Sequence, residues 1–166
     1  LSDLFYESTL RGDAMQGIVE AVNAKLHAIL PESMFMVGCF VEVSPQRDRL
    51  RVWNCGLPEA FLYLDGATRP QHIASSCYPR GLMVEPGDVS PDWIIVQESA
   101  HLYCHTDGIV EERDQHGAIF GIKRLETLMG EVKQGGLPLE RVAEVLADFR
   151  GNKSASDDLT LVELTL

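Results

Sequence analysis

No run of Lys or Arg occurs anywhere in the chain, and its 14 basic residues stand against 25 acidic ones, giving a formal net charge of −11. A polyanion needs a clustered basic footprint, so neither nucleic acid nor an anionic membrane is an expected partner. Long apolar runs are missing too. Nothing spans a bilayer, and nothing has the ordered regions of a secretion signal, so a soluble protein is expected. Cysteine is sparse: Cys39, Cys55, Cys77 and Cys104 are too scattered for a disulfide framework, and reduced thiols in a cytoplasmic protein are the expectation. Internal repeats and low-complexity segments are absent as well. What the chain does have is 166 residues, 45% of them hydrophobic, enough for one domain with a real core. It opens on Leu1 and runs directly into LSDLFYESTL, which reads as a piece of a longer polypeptide.

Apolar residues at Met15, Ile18, Val19, Val22, Leu26, Ile29 and Leu30 recur every three or four positions and predict a helix over residues 11–30, stopped by Pro31. Residues 35–43, 49–55 and 60–64 read as strands separated by SPQRD and GLPE, a spacing that predicts an antiparallel meander. Residues 65–92 are rich in Gly, Pro and Ser and are expected to hold one or two short strands, one at 83–85. Strands follow at 93–96 and, more strongly, 99–106. Two amphipathic helices are predicted over 119–132 and 139–149, and DDLTLVELTL reads as a terminal strand. The class is α+β, with helices covering a mainly antiparallel sheet.

HLYCHTDG, residues 101–108, brings His101, Cys104 and His105 close together in sequence. On a helix the two histidines share a face and suit zinc. The flanking EPGDVSPDW and Asp-Gly favour a strand, where residues four apart are separated by roughly 13 Å and Cys104 faces the other way. His101 is then a strand-edge histidine. His105 is a partly buried one, on the same face as Asp107 and able to bond a carboxylate or a phosphate oxygen. An isolated Asp107-Gly108 pair is an ordinary turn.

That pair is not isolated. TDGIVEERDQHGAIFGIKRLETL and SASDDLTLVEL together resemble the SpoIIE-like branch of the metal-dependent, type two-C (PPM) protein phosphatases. WNCGLPEAFLYLDG resembles that branch's Asn-Ala-Gly-His-Pro segment, and AVNAKLHAILPESMFMVGCFVEV its Asn-x-x-Leu helix and following strand. The resemblance implies a PPM-type β-sandwich flanked by helices, with a manganese or magnesium pair whose bound water attacks phosphoserine or phosphothreonine. No protein side chain beyond the metal ligands acts catalytically. Asp107 and Asp157 match the metal ligands; Gly108, Asp158 and His105 are neighbours of the metal site. Carboxylate oxygens suit such hard cations. If DDLTLVELTL is strand throughout, Asp157 and Asp158 face opposite ways and only Asp157 reaches the ion.

Two segments of the pattern, a Gly-Asp strand and an Asp-Val-x-Gly-His-Gly stretch with the bridging carboxylate, are not in these residues. The domain is therefore expected to be N-terminally incomplete, its first strands absent, its two-metal site half present and this fragment inactive by itself. Within the motifs, His105 replaces an apolar residue and Leu57 a histidine. The resemblance also implies a parent that is a bacterial response regulator of the RssB type, with an upstream receiver domain and this output domain acting on a phosphorylated STAS-type anti-sigma-factor antagonist. The alternative is a decayed, phosphatase-shaped adaptor that binds a sigma factor or its antagonist. Missing strands leave sheet edges open, which makes a homodimer a further expectation.

Overall fold

The computed structural model describes residues 1–85, 87 and 90–166. In chain order its elements are α1 (Ser2–Arg11), α2 (Met15–Ile29), β1 (Gly38–Val43), β2 (Arg49–Cys55), β3 (Ala60–Leu64), β4 (Gln71–Ile73), β5 (Ile94–Ile95), β6 (Ala100–His105), α3 (Asp107–Glu111), α4 (Ile122–Lys133), α5 (Val142–Arg150) and β7 (Leu161–Thr165), with a short 3-10 turn at Leu139–Arg141. Among the described residues no helix is long and apolar enough to cross a membrane. Two compact units emerge.

The first unit comprises Leu1–Leu57 and Ala74–Ile95. Its sheet has the order β1-β2-β5, all antiparallel. The apolar stripe of α2 is buried through Ile18, Val19, Val22 and Leu26, as its 3.6-residue period requires. Val19 packs with Trp53, Cys55 and Cys77, and Trp53 Nε1 donates to Gln16 Oε1 at 2.9 Å. The helix expected over 11–30 is α2, and a further helix, α1, precedes it, closed by Gly12 at φ 77°, which donates to the Ser8 and Thr9 carbonyls. The sequence reading missed α1 because it buries only Ser8 and has no core stripe to detect.

The second unit, Pro58–Ile73 with Val96–Leu166, carries a four-stranded antiparallel sheet in the order β4-β3-β6-β7. Phe61, Tyr63 and Tyr103 from its two central strands pack with Leu125, Leu128 and Met129 of α4 and with Val142 and Leu146 of α5. Each fully buried side chain of this size contributes about 2 kcal/mol, so this cluster anchors the unit.

Two strand expectations are corrected. β3 does not continue a meander from β2; it pairs with β4 and β6, because GLPE carries the chain into the other sheet. Residues 83–85 are loop, their carbonyls partly used by the Asn23 amide, which donates to Met83 O at 2.9 Å. The short strand of that stretch is β4 instead. Pro86, Asp88 and Val89, within the expected loop, lie outside the described residues.

Candidate functional site

β6 and β7 decide where the acidic motifs meet. They are antiparallel, with His101 opposite Thr165 and His105 opposite Leu161, so the end of β6 lies beside the start of β7. The register runs past the strands: Thr106 N–H donates to Thr160 O at 3.1 Å. Continued two residues further it sets Gly108 against Asp158, where a β-carbon on Gly108 would lie 2.6 Å from the Asp158 carbonyl oxygen and 3.3 Å from Asp157 Cβ. The absence of a side chain at 108 is what lets the segments bearing Asp107 and Asp157 touch.

Thr106 fastens the junction. It occupies the N-cap position of α3 without capping it. Its hydroxyl instead donates to Asp158 O at 3.2 Å and accepts the Thr160 N–H at 3.0 Å. Each aspartate orders its own neighbour, Asp107 Oδ1 accepting the Gly108 N–H at 3.1 Å and Asp157 Oδ1 the Asp158 N–H at 2.8 Å. Asp107, Asp157 and Asp158 are all exposed.

Several sequence readings change here. Asp157 and Asp158 precede β7 and lie in loop, so the strand alternation expected to separate them does not apply. Asp107 opens a five-residue helix instead of a simple turn, so it does not share a strand face with His105. His105 is buried, at 2% exposure, and its ring nitrogens lie against backbone carbonyls instead of a carboxylate. Its Nδ1 lies 3.1 Å from Thr106 O and its Nε2 3.1 Å from Glu59 O, with the ring stacked on Phe61. Burial pushes its pKa below the usual histidine range, against the two carbonyls and Asp107, which favour the charged form.

His101 is not at a sheet edge, since β6 is flanked by β3 and β7; its Nδ1 is 2.9 Å from Glu163 Oε1, which also accepts the Tyr103 hydroxyl at 2.8 Å. β6 is strand through His105, which separates His101 from His105 and turns Cys104 away, as the zinc argument anticipated. Among the described residues no group of three or more His, Cys, Asp or Glu side chains is placed to hold a metal ion. The donor set fits a hard divalent cation in kind, two exposed carboxylates, and falls short of its six-oxygen shell in number.

Sequence reading also missed a buried pair behind the site. Glu112, 2% exposed, accepts Arg150 Nη1 at 2.7 Å through one oxygen and the Arg113 N–H at 3.1 Å through the other, tying the end of α3 to the end of α5. The motif gave two adjacent glutamates, Glu111 and Glu112. Only their burial separates them.

Two antiparallel sheets with these helices define the fold of the PP2C-type phosphatases. The SiaA-PP2C domain of Pseudomonas aeruginosa is similar with a TM-score of 0.75 at 20% identity, over 90% of this chain and 59% of that one. The RsbU and RsbW domains of Rv1364c from Mycobacterium tuberculosis match with a TM-score of 0.71 at 16% identity, over 98% and 44%. The catalytic domain of the serine threonine protein phosphatase PstP, in complex with two manganese ions, matches with a TM-score of 0.59 at 15% identity, over 99% and 79%. The chain thus spans less than two thirds of each of the first two structures. Comparison with curated proteins gives no match. The chain belongs to the stage II sporulation protein E (SpoIIE) family, whose model matches residues 1–166.

Proposed function

We infer that this chain is part of a metal-dependent phosphoserine/phosphothreonine protein phosphatase, with Asp107 and Asp157 as ligands of its divalent cations. The observation that carries this reading is the contact at Gly108, which brings two family-matching aspartates, distant in sequence, to one end of the β6-β7 pair. Manganese or magnesium, when bound, would supply charge neutralisation and lower the pKa of water into the neutral range. The residues of this chain hold and orient: Thr106 fixes the separation of the two loops, and Asp158 contributes its carbonyl to that clamp while its carboxylate stays exposed. The substrate in this reading is a phosphorylated STAS-type anti-sigma-factor antagonist, and the parent is a response regulator with an upstream receiver domain.

The two-carboxylate donor set favours a second reading, an adaptor of phosphatase shape that binds a sigma factor or its antagonist without hydrolysis. One assay separates the two. Manganese-dependent release of phosphate from the phosphorylated antagonist by the full parent protein, lost in Asp107→Ala, supports the enzyme. No release from the wild type, with the antagonist or a sigma factor still bound, supports the adaptor.

A further inference from the structure

The chain leaves α3 through a turn whose cations pair with no carboxylate among the described residues. After α3 the chain folds back over residues 113–119, where Arg113 and Ile119 form an isolated antiparallel bridge. The one acid of the turn faces its own backbone: Asp114 Oδ1 accepts the His116 and Ala118 N–H groups at 2.8 Å each, and its single charge stands against three cations. Those bonds, that of Ala118 foremost, hold the Asp114 carboxyl below the usual range.

The cations, by contrast, meet uncharged groups: carbonyl oxygens and, for Arg124, also the Phe149 ring, 5.3 Å from its guanidinium carbon. Arg113 Nη1 donates to Gly117 O at 3.0 Å, and Lys153 Nζ donates to Asp114 O at 2.9 Å and Gln115 O at 3.3 Å. Arg124 Nη1 donates to Ile119 O and Phe120 O at 2.7 and 2.8 Å. A carbonyl leaves the cation its full charge. Among the described residues none of these three cations forms an ion pair, whereas Arg11, Arg51, Arg141 and Arg150 do. Arg113, Arg124 and Lys153 are exposed, a local excess of positive charge in a chain of net −11. The turn is also joined to both candidate ligands. It directly follows the helix that Asp107 opens, and Lys153 grips it from the segment that leads to Asp157.

Resting on the phosphatase reading, we propose that Arg113 and Lys153, supported by Arg124, recognise an acidic segment flanking the phosphorylated residue of the protein substrate. The exposed aspartates repel an anionic segment, and a fixed cationic border offsets that repulsion and steers approach. The turn presents its charges pre-ordered, because its own hydrogen bonds already hold the backbone.

The test is binding, read by fluorescence anisotropy on the full parent protein, so that it is independent of turnover. The probes are labelled phosphoserine peptides flanked either by Asp and Glu or by Gly and Ser, with an unphosphorylated acidic peptide as a third. The expected result is an acidic-flank preference of about tenfold that weakens with salt. It disappears in Arg113→Glu/Lys153→Glu and falls in Arg113→Gln/Lys153→Gln, with circular dichroism confirming the fold. Lys25→Glu, which changes net charge elsewhere, leaves the preference intact. Equal binding of both flanks, no binding of either, an undiminished preference in the double variants, or an equal loss in Lys25→Glu would each overturn the proposal. Failure of the phosphatase reading looks different: no phosphate release, with the flank preference retained.

Discussion

The carbonyl oxygen of Asp158 lies where a side chain on Gly108 would have to stand, 2.6 Å from the position of its β-carbon. Gly108→Ala therefore separates the two aspartate loops or strains them. The expected cost is about 1–3 kcal/mol of stability, with weaker manganese binding in the parent protein. Thermal unfolding and metal titration of the variant check this; wild-type values in both would show that the loops tolerate separation.

Thr106 makes the same junction through its hydroxyl, bonded to Asp158 O and Thr160 N. Thr106→Val keeps the shape and removes both bonds, lowering stability by about 1 kcal/mol. Thr106→Ser retains the bonds and should stay close to wild type. A valine variant as stable as the serine variant would mean that the clamp contributes nothing.

Glu112 and Arg150 form the most buried ion pair described for the second unit, with side-chain exposures of 2% and 18%. Arg150→Ala strands the Glu112 carboxylate and should cost about 3 kcal/mol. Arg150→Ala/Glu112→Gln should recover part of that loss, because no buried charge is left without its partner. Chemical denaturation of the two variants gives the comparison. A double variant no better than the single would place the loss in packing.

Alkaline pH should weaken the second unit through two tyrosines. Burial first, then the Glu126 charge, pushes Tyr63 up to about 12, and burial followed by Glu163 pushes Tyr103 higher still. Both phenols remain neutral in the folded chain while an unfolded tyrosine ionises near 10. The unfolded state loses its protons first, so the stabilisation is complete below about pH 10 and is lost as pH rises toward 12. Tyr63→Phe should flatten the fall in melting temperature between about pH 10 and 12. An unchanged slope would contradict this.

The sequence was most legible where one period dominates. β2 and β3 fall on the expected residues, and α2, α4 and α5 follow their apolar stripes. Pairing was not legible: nothing in GLPE tells β3 to leave β2 and join β6. The motif gave Asp107 and Asp157 as residues, whereas the physical reason for their meeting, a shared register ending at a glycine, needs both strands in place. Thr106 and Glu112 carried no signal of their own. One acts through a hydroxyl that any exposed threonine has, and the other through burial beside an arginine distant in sequence.

The central claim is that Asp107 and Asp157 serve one divalent-metal site. Isothermal titration of manganese into the full parent protein, its Asp107→Ala variant and its Asp157→Ala variant tests it most directly. The account predicts saturable binding by the wild type and a loss of at least about tenfold in each variant, the order expected even for groups that only support a metal ligand. Wild-type affinity retained in either variant would contradict it.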